Sequence, residues 1–566
     1  MPLSYQEIKT MLTGPGRPFE IEEITINGST IRNWKNAPTS IPQVLLQSKK
    51  FADQDYIVYQ GERLSFSQHF AKVAALANQL VTQFGINKGD RVAIALRNYP
   101  EWSIAFWAIT AAGAIAVPLN AWWTGDELVY GLNDSGARLI FVDPQRLQRL
   151  QPLRNKLSSV KRFIMVRGER VPDAIALEDL LSDVSSDMPL PSIDIQPDDP
   201  ATLFYTSGTT GNPKGTLGSH RNFCSVAISM PYTGLANMLR MGMSLEEVAK
   251  LQDQMKPIYL LTLPLFHVSG CHSVLLGALS TGGKIVMMHK WDPEEAINLI
   301  EHEKVSLFSA VPTMVMQLTQ LPNIIKRNLS SVKNIGYGGA PTAPELLRRV
   351  RDILPFAQIG NGWGITETSS LITTFGGPDY AQNPESAGPP IPVCEVKAVD
   401  EKGHEVPTGE LGELWVKGPN VVKEYWNRPE ASAESFTDGW FHTGDIGKID
   451  ADGLVYIVDR LKDMIIRGGE NIYCAEVEAA ALEHPAVQGA CVFGLPHEVL
   501  GEEVACVIQT AQDKEINSET LKEHLLSRLA KYKVPSHIWI QKDPLPLGPT
   551  GKIQKKELKQ YYQAKI

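Results

Sequence analysis

The sequence predicts an α/β protein: a large body of parallel sheet and crossover helices, a small mostly β subdomain, and a separate α+β domain at the C-terminus. Three observations predict it. From about residue 40, helix-like and strand-like segments alternate, and strand, helix, strand in that rhythm implies parallel pairing with helical crossovers. After about residue 390 the texture changes to short β-like runs separated by Gly, Pro and Asp (EVKAVD, GELWVKG, GLVYIVDR). From Asp463 a third, mixed pattern begins, long enough for an independent domain of about 100 residues.

Taken in order, residues 66–84 have helical spacing, with Phe70, Val73, Leu76, Leu80 and Phe84 on one stripe. Residues 91–96 (RVAIAL) form a short apolar strand behind the turn Lys88-Gly89-Asp90. Residues 103–112 read as helix, and 114–118 and 138–142 as strands. Further strands are expected at 258–263, 284–288, 306–310 and 334–337. In the last segment a helix is expected at 475–484, strands at 488–493 and 503–510, and a helix at 518–531. The Met-rich, amphipathic stretch 234–256 reads as a surface helix rather than a lid over substrate or membrane.

A chain of 566 residues, 43% hydrophobic and 21% charged, can bury a large core without disulfides or metals. Its net charge of -9 argues against a nucleic-acid partner, while leaving room for a local positive site. Six scattered cysteines with no C-x-x-C pair point to free thiols. The N-terminus MPLSYQEIKTML lacks the basic region and apolar stretch of a secretory signal. Residues 102–125 and 257–283 are free of Asp, Glu, Lys and Arg, but the first is broken by Gly113, Pro118 and Asn120 and the second by Pro264, His267 and His272. Buried elements explain them better than membrane spans. A cytoplasmic protein with no integral span is expected.

The most informative segment is YTSGTTGNPKG (205–215), directly after a strand-like run. Glycines let backbone N–H groups converge on an anion, and hydroxyls and a lysine add donors and charge. A flexible turn is the ordinary reading of such a loop, but this composition behind a strand suits a polyphosphate. It is not a Walker A loop, because Pro213 precedes Lys214 and Gly215 follows it.

This loop resembles the phosphate loop of the adenylate-forming superfamily, which comprises acyl- and aryl-CoA synthetases, peptide-synthetase adenylation domains and beetle luciferases. Six further segments occur in the family's order: Phe266-His267-Val268-Ser269-Gly270, Gly338-Gly339-Ala340-Pro341, Asn361-Gly362-Trp363-Gly364-Ile365-Thr366-Glu367-Thr368, His442-Thr443-Gly444-Asp445, Asp459-Arg460-Leu461-Lys462-Asp463, and Pro549-Thr550-Gly551-Lys552-Ile553. The resemblance implies a large N-terminal domain of stacked αβ sheets with its β subdomain (1–460), and a mobile C-terminal domain (461–566) hinged near Lys462.

It also implies roles. Thr206, Ser207, Gly208, Thr209, Thr210, Gly211 and Lys214 would cradle the phosphates of ATP, with Thr210 and Glu367 on Mg²⁺. Gly339, Ala340, Pro341, Asn361, Gly362 and Trp363 would hold adenine. Trp363 stands where relatives usually carry Tyr, so stacking should survive while the phenol's hydrogen bond is lost. Asp445 and Arg460 would hold the ribose, and Thr366 and His267 would lie by the α-phosphate. Lys552 would bridge the two anions that meet in the reaction. Gly468, Gly469 and Glu470 resemble the segment that admits the pantetheine of coenzyme A. A metal site at His267 and His272 is disfavoured, since no second ligand pair stands at zinc-like spacing. The expected reaction joins a carboxylic acid to coenzyme A through an acyl-adenylate. Small or apolar Val268, Gly270, Ala310, Val311, Gly336 and Gly338 suggest a medium- or long-chain fatty acid, with an aryl, alicyclic or steroid acid as the alternative. Another acceptor than coenzyme A is a further alternative, and a homodimer is the assembly to test.

Overall fold

The computed structural model describes the chain apart from residues 1–2, 27, 183, 207–211, 255, 339–343, 512–513 and 566, and apart from the side chains of 252–254 and 344–345. The first sheet begins with β1 (Arg91–Ala95), β2 (Ile115–Pro118) and β3 (Leu139–Val142). Each is a short run buried along its length, as expected of parallel strands covered on both faces. β2 lies on one side of β1 and β3 on the other, both parallel to it. The strand order therefore reverses at β1, which makes its carboxyl end, beside that of β3, the switch point of the sheet. β4 (Pro200–Tyr205) continues beyond β2, and β5 (Gly215–Ser219) returns antiparallel to β4.

Among the described residues the second sheet, like the first, has eight strands, including β6 (Leu307–Ala310), β7 (Asn334–Gly338) and β8 (Gln358–Trp363), which pair in parallel. Helix α1 (Phe66–Thr82) starts at Ser65, whose hydroxyl accepts from Gln68 N–H while the Gln68 side chain returns to the cap. Helix α2 (Pro100–Ala111) is apolar all round and buried throughout apart from Glu101. One core cluster joins residues of α1 and α2 with Val92, Ile94 and Phe141 of the first sheet and Tyr56, Leu261 and Ile285 of the second. The two sheets are thus stacked across shared helices.

A third sheet contains β9 (Trp440–Ile449) and β10 (Val455–Arg460). The last sheet is formed wholly after residue 464, with helices Cys474–Leu482, Ser518–Leu526 and Lys555–Gln563. The six cysteines are free and buried. Among the described residues no helix is long and apolar enough to cross a membrane.

Two expectations need correction. The stretch 234–256 is not one surface helix. Its first part ends α3 (His220–Arg240), where Ala236 and Leu239 pack on Ile8, Leu12 and Trp34. Gly242 then takes φ +88°, and Ser244 caps a new helix, Leu245–Gln254, through Glu247. The helix expected over 518–531 stops at Leu526, because the chain turns at Lys531–Lys533 to reach strand His537–Gln541.

Phe106 of α2 is fully buried in the core common to both sheets. Phe106→Ala should lower unfolding stability by about 3–5 kcal/mol, measured as a shifted urea midpoint.

Candidate active site

β9 and β10 are antiparallel with Asp445 opposite Arg460. The Arg460 Nε lies 2.8 Å from Asp445 Oδ1. Trp363, at the end of β8, donates its indole N–H to Asp445 Oδ2 at 2.8 Å, and Asp445 N–H donates to Thr443 Oγ1. The indole therefore supplies a hydrogen bond that the sequence reading did not foresee. Its ring packs with Ile372, Leu414, Val416 and Val455, leaving 7% of the residue exposed. Burial pushes the Asp445 carboxyl up, with Arg460, the indole bond and Lys552 opposing. Desolvation wins because the carboxylate has lost nearly all its water.

Lys552 reaches this pair from the C-terminal segment. Gly551 has φ +77°, and a Cβ there would meet Val311 Cγ2 at 2.7 Å and Met314 Cε at 3.1 Å. Thr313 Oγ1 donates to Gly551 O at 2.7 Å. Lys552 stays accessible to solvent, yet the walls of the cleft crowd it. Its ammonium is lowered to about 8, chiefly by burial, further by Arg460, with Asp445 opposing. His267 feels Lys552 as well, and burial drops its pKa to about 3, so the ring is neutral. Its Nδ1 accepts from Ser269 N–H at 3.3 Å, which leaves the proton on Nε2.

β7 and β8 supply a surface without side chains. Gly336 pairs with Gly360 and Gly338 with Gly362, and the period of two sets all four on one face. Among the described residues, a Cβ on Gly338 would meet only Gly362 O, at 3.5 Å. Beyond β8, Gly364 is required because any Cβ would overlap Ser370 O. Glu367 sits on the turn Thr366–Thr368, and its Oε1 accepts from the Tyr425 hydroxyl at 2.7 Å. Asn361 and Thr366 are half-buried beside it in sequence. Thr206 and Lys214 close the base of the phosphate-like loop through Thr206 N–H to Lys214 O (2.9 Å) and Lys214 N–H to Thr206 Oγ1 (3.3 Å). Ser207, Gly208, Thr209, Thr210 and Gly211 lie outside the described residues, as do Gly339, Ala340 and Pro341.

Lys462 is exposed between β10 and the next strand, Ile465–Arg467. Gly468, Gly469 and Glu470 form an exposed hairpin, with Gly468 N–H donating to Leu500 O. Among the described residues no hydrogen bond or ion pair joins them to Asp445, Arg460 or Lys552.

Sequence reasoning missed an arginine cluster at the switch point. Arg97 and Asn98 follow β1, and Asp143 and Arg146 follow β3. The Arg97 guanidinium lies 4.1 Å from the ring centroid of Trp122, an exposed indole. Arg146 and Arg149 hold the carbonyls of Ala121 and Trp123. Among the described residues, Arg97 Nε and Arg146 Nη2 are buried with no hydrogen-bond partner. Asn98 hydrogen-bonds Leu263 O and Leu265 N–H, tying the cluster to the loop that carries His267. The strand-end positions were the only signal in the sequence.

Residues 46–426 match the family model of the AMP-binding enzymes, and residues 476–552 match that of the AMP-binding enzyme C-terminal domain. The chain belongs to the AMP-binding enzyme family. This AMP-binding enzyme is 35% identical over 503 residues to a feruloyl-CoA synthase of an Amycolatopsis species, covering 89% of this chain and 94% of that one. It is 33% identical to the long-chain-fatty-acid–CoA ligase FadD13 of Mycobacterium tuberculosis, covering 88% and 93%. The o-succinylbenzoate CoA synthetase of Bacillus subtilis, solved with its acyl-adenylate, matches at TM-score 0.74 and 31% identity over 92% of this chain and 98% of that one. A further structure of that synthetase holds ATP and a magnesium ion. The reaction class is that of an AMP-forming acid–thiol ligase, with ATP, Mg²⁺ and coenzyme A.

The residues fit a magnesium nucleotide. Among the described residues no three His, Cys, Asp or Glu stand together as a metal cage. The single carboxylate of Glu367 suits a cation carried mainly by phosphates and water.

Trp363→Phe keeps the ring but strips a donor from buried Asp445. It should cost roughly 1–3 kcal/mol of stability. Thermal unfolding of Trp363→Phe, Asp445→Asn and the double variant should show the two losses to be non-additive.

Proposed function

We propose that the chain activates an apolar carboxylic acid as its acyl-adenylate and transfers the acyl group to coenzyme A, with a medium- or long-chain fatty acid as the first candidate. The convergence of Lys552 on Asp445 and Arg460 carries this reading. Asp445 and Arg460 hold the ribose, Trp363 covers adenine, and the Thr206–Lys214 loop with Thr366 receives the phosphates. Mg²⁺ would be held by Glu367 and Thr210 with the phosphates and would neutralise charge developing there. A carboxylate oxygen of the acid attacks the α-phosphorus, the bond to the β-phosphate breaks, and pyrophosphate leaves. Lys552 stabilises the meeting of the two anions, and neutral His267 offers its Nε2–H beside them. The thiolate of coenzyme A then attacks the acyl carbon and AMP departs.

For this second step we place a domain division at residue 460, with rotation near Lys462 bringing the Gly468–Gly469–Glu470 turn to the site. The phosphorylated end of coenzyme A suits the switch-point arginines. Their unpaired N–H groups match phosphate oxygens, and Trp122 offers a flat face to a base. The acid lies over the open glycine face of β7 and β8. An aryl acid is the second reading, favoured because relatives include a feruloyl-CoA synthase and 2-succinylbenzoate–CoA ligases.

Acid-dependent AMP formation from MgATP, measured over fatty, aryl and steroid acids with and without coenzyme A, tests the function. AMP should accumulate catalytically only with coenzyme A. Exchange of pyrophosphate that ignores coenzyme A would mean another acceptor. The protonated form of Lys552 is needed, so kcat/KM for adenylation should be flat below its pKa and fall as pH rises through about 8. Lys552→Ala should lower adenylation by about 10²–10³-fold and abolish that limb. Gly338→Val, which fills the open face, should depress kcat/KM for the preferred acid far more than it changes the KM for ATP.

A further inference from the structure

Tyr425 belongs to none of the motifs above, yet it touches two of them. It lies on the two-residue strand Glu424–Tyr425, which pairs antiparallel with β5 so that Tyr425 sits opposite Thr216. The pairing is anchored on both sides. Trp426 N–H donates to Gly215 O at 2.8 Å, and Tyr425 N–H donates to Ser432 Oγ at 3.0 Å. The residue is 7% exposed. Its hydroxyl donates to Glu367 Oε1 at 2.7 Å, and the Lys214 ammonium lies 4.7 Å from its ring centroid. The same segment grips the backbone of the Glu367 turn, with Val422 N–H donating to Glu367 O at 2.8 Å and Asn420 Nδ2 donating to Thr368 O at 3.0 Å.

We propose that Tyr425 is a positioning residue that fixes the Glu367 carboxylate for the magnesium of MgATP while seating Lys214 beside the phosphates. The inference rests on the reading of Glu367 given above. One carboxylate oxygen is engaged by the phenol, so the carboxylate is held against rotation and Oε2 is left for a hard cation. Hydrogen-bonded partners of this kind orient metal ligands, and their loss typically weakens metal binding by about 10–100-fold. The ring serves a second purpose, because an ammonium over an aromatic face is attracted to it. The phosphate-loop lysine and the metal carboxylate thereby share one support, although they come from different sheets.

The test uses the full-length enzyme with ATP and no acid, so that ATP is not consumed. Mn²⁺ replaces Mg²⁺, and its binding to the enzyme–ATP complex is followed by electron paramagnetic resonance. Tyr425→Phe, which keeps the ring and removes the hydroxyl, should weaken Mn²⁺ binding about tenfold with the thermal unfolding profile still cooperative. Its pyrophosphate exchange should be restored at raised Mg²⁺, a recovery that a merely structural lesion would not show. Tyr425→Leu, which also removes the ring, should in addition raise the KM for ATP. Glu367→Gln separates the outcomes. If Glu367→Gln weakens Mn²⁺ binding and Tyr425→Phe does not, Tyr425 has no positioning role while the metal reading stands. If Glu367→Gln leaves Mn²⁺ binding unchanged, the metal reading itself falls and the proposal with it.

Discussion

Gly551 takes a positive φ and lies so close to Val311 and Met314 that a side chain there would force them to shift, and the Thr313 hydroxyl clamps its carbonyl. This contact brings the C-terminal segment against helix Pro312–Thr319, and the position of Lys552 follows from it. Without that approach Asp445 and Arg460 would form an ordinary cross-strand ion pair between two interior strands of a small sheet. With it, a third charge enters the same cleft. A positive φ at Gly551 and the missing Cβ serve one end: they let backbone come where bulk could not.

Desolvation governs the charges gathered there. Asp445 rises although Arg460, Trp363 and Lys552 all favour its anion. Lys552 falls although Asp445 favours its cation. Neighbouring charges push Asp445 the other way, whereas at Lys552 Arg460 adds to the fall that Asp445 opposes, so the loss of water sets the direction at both. His267, driven neutral, adds a donor without adding a like charge beside Lys552.

Much of this was legible in the sequence because the signals were local. Short apolar runs became β1, β2, β3 and β7 within about a residue or two, and the stripe from Phe70 to Leu80 became the buried face of α1. The motifs carrying Trp363, Asp445, Arg460 and Lys552 were recognised one by one. Their meeting was not, since it depends on strand register and on the approach at Gly551. Tyr425 was missed for the same reason. Its bond to Glu367 arises from antiparallel pairing with Gly215–Ser219, a contact far apart in sequence. The arginines at positions 97, 146 and 149 look like solvated surface until strand order brings the ends of β1 and β3 together. The single helix expected over 234–256 failed at Gly242, where one left-handed residue and a capping serine outweigh amphipathic spacing.

With the acid placed as proposed, the floor of the site makes little choice among acids. Gly336, Gly338, Gly360 and Gly362 present backbone alone, which accepts a chain or a ring equally. Selection must therefore come from the opposite wall. A Cβ on Gly376, the register partner of Gly360, would meet the Asn237 side chain of α3 at 3.2 Å, so α3 faces the glycines. That helix contains Pro231 and is braced from outside. Ile8 and Leu12 pack on its Tyr232, Ala236 and Leu239, while Arg240 and Tyr5 both bind Asp379. The bracing helix, Tyr5–Thr13, lies before the region shared with the family model. The helix facing the glycines is thus braced by a segment outside that match, whereas the groups around Asp445 and Lys552 belong to motifs recognisable along the chain. A shared chemistry with divergent acids is what such a division of labour produces.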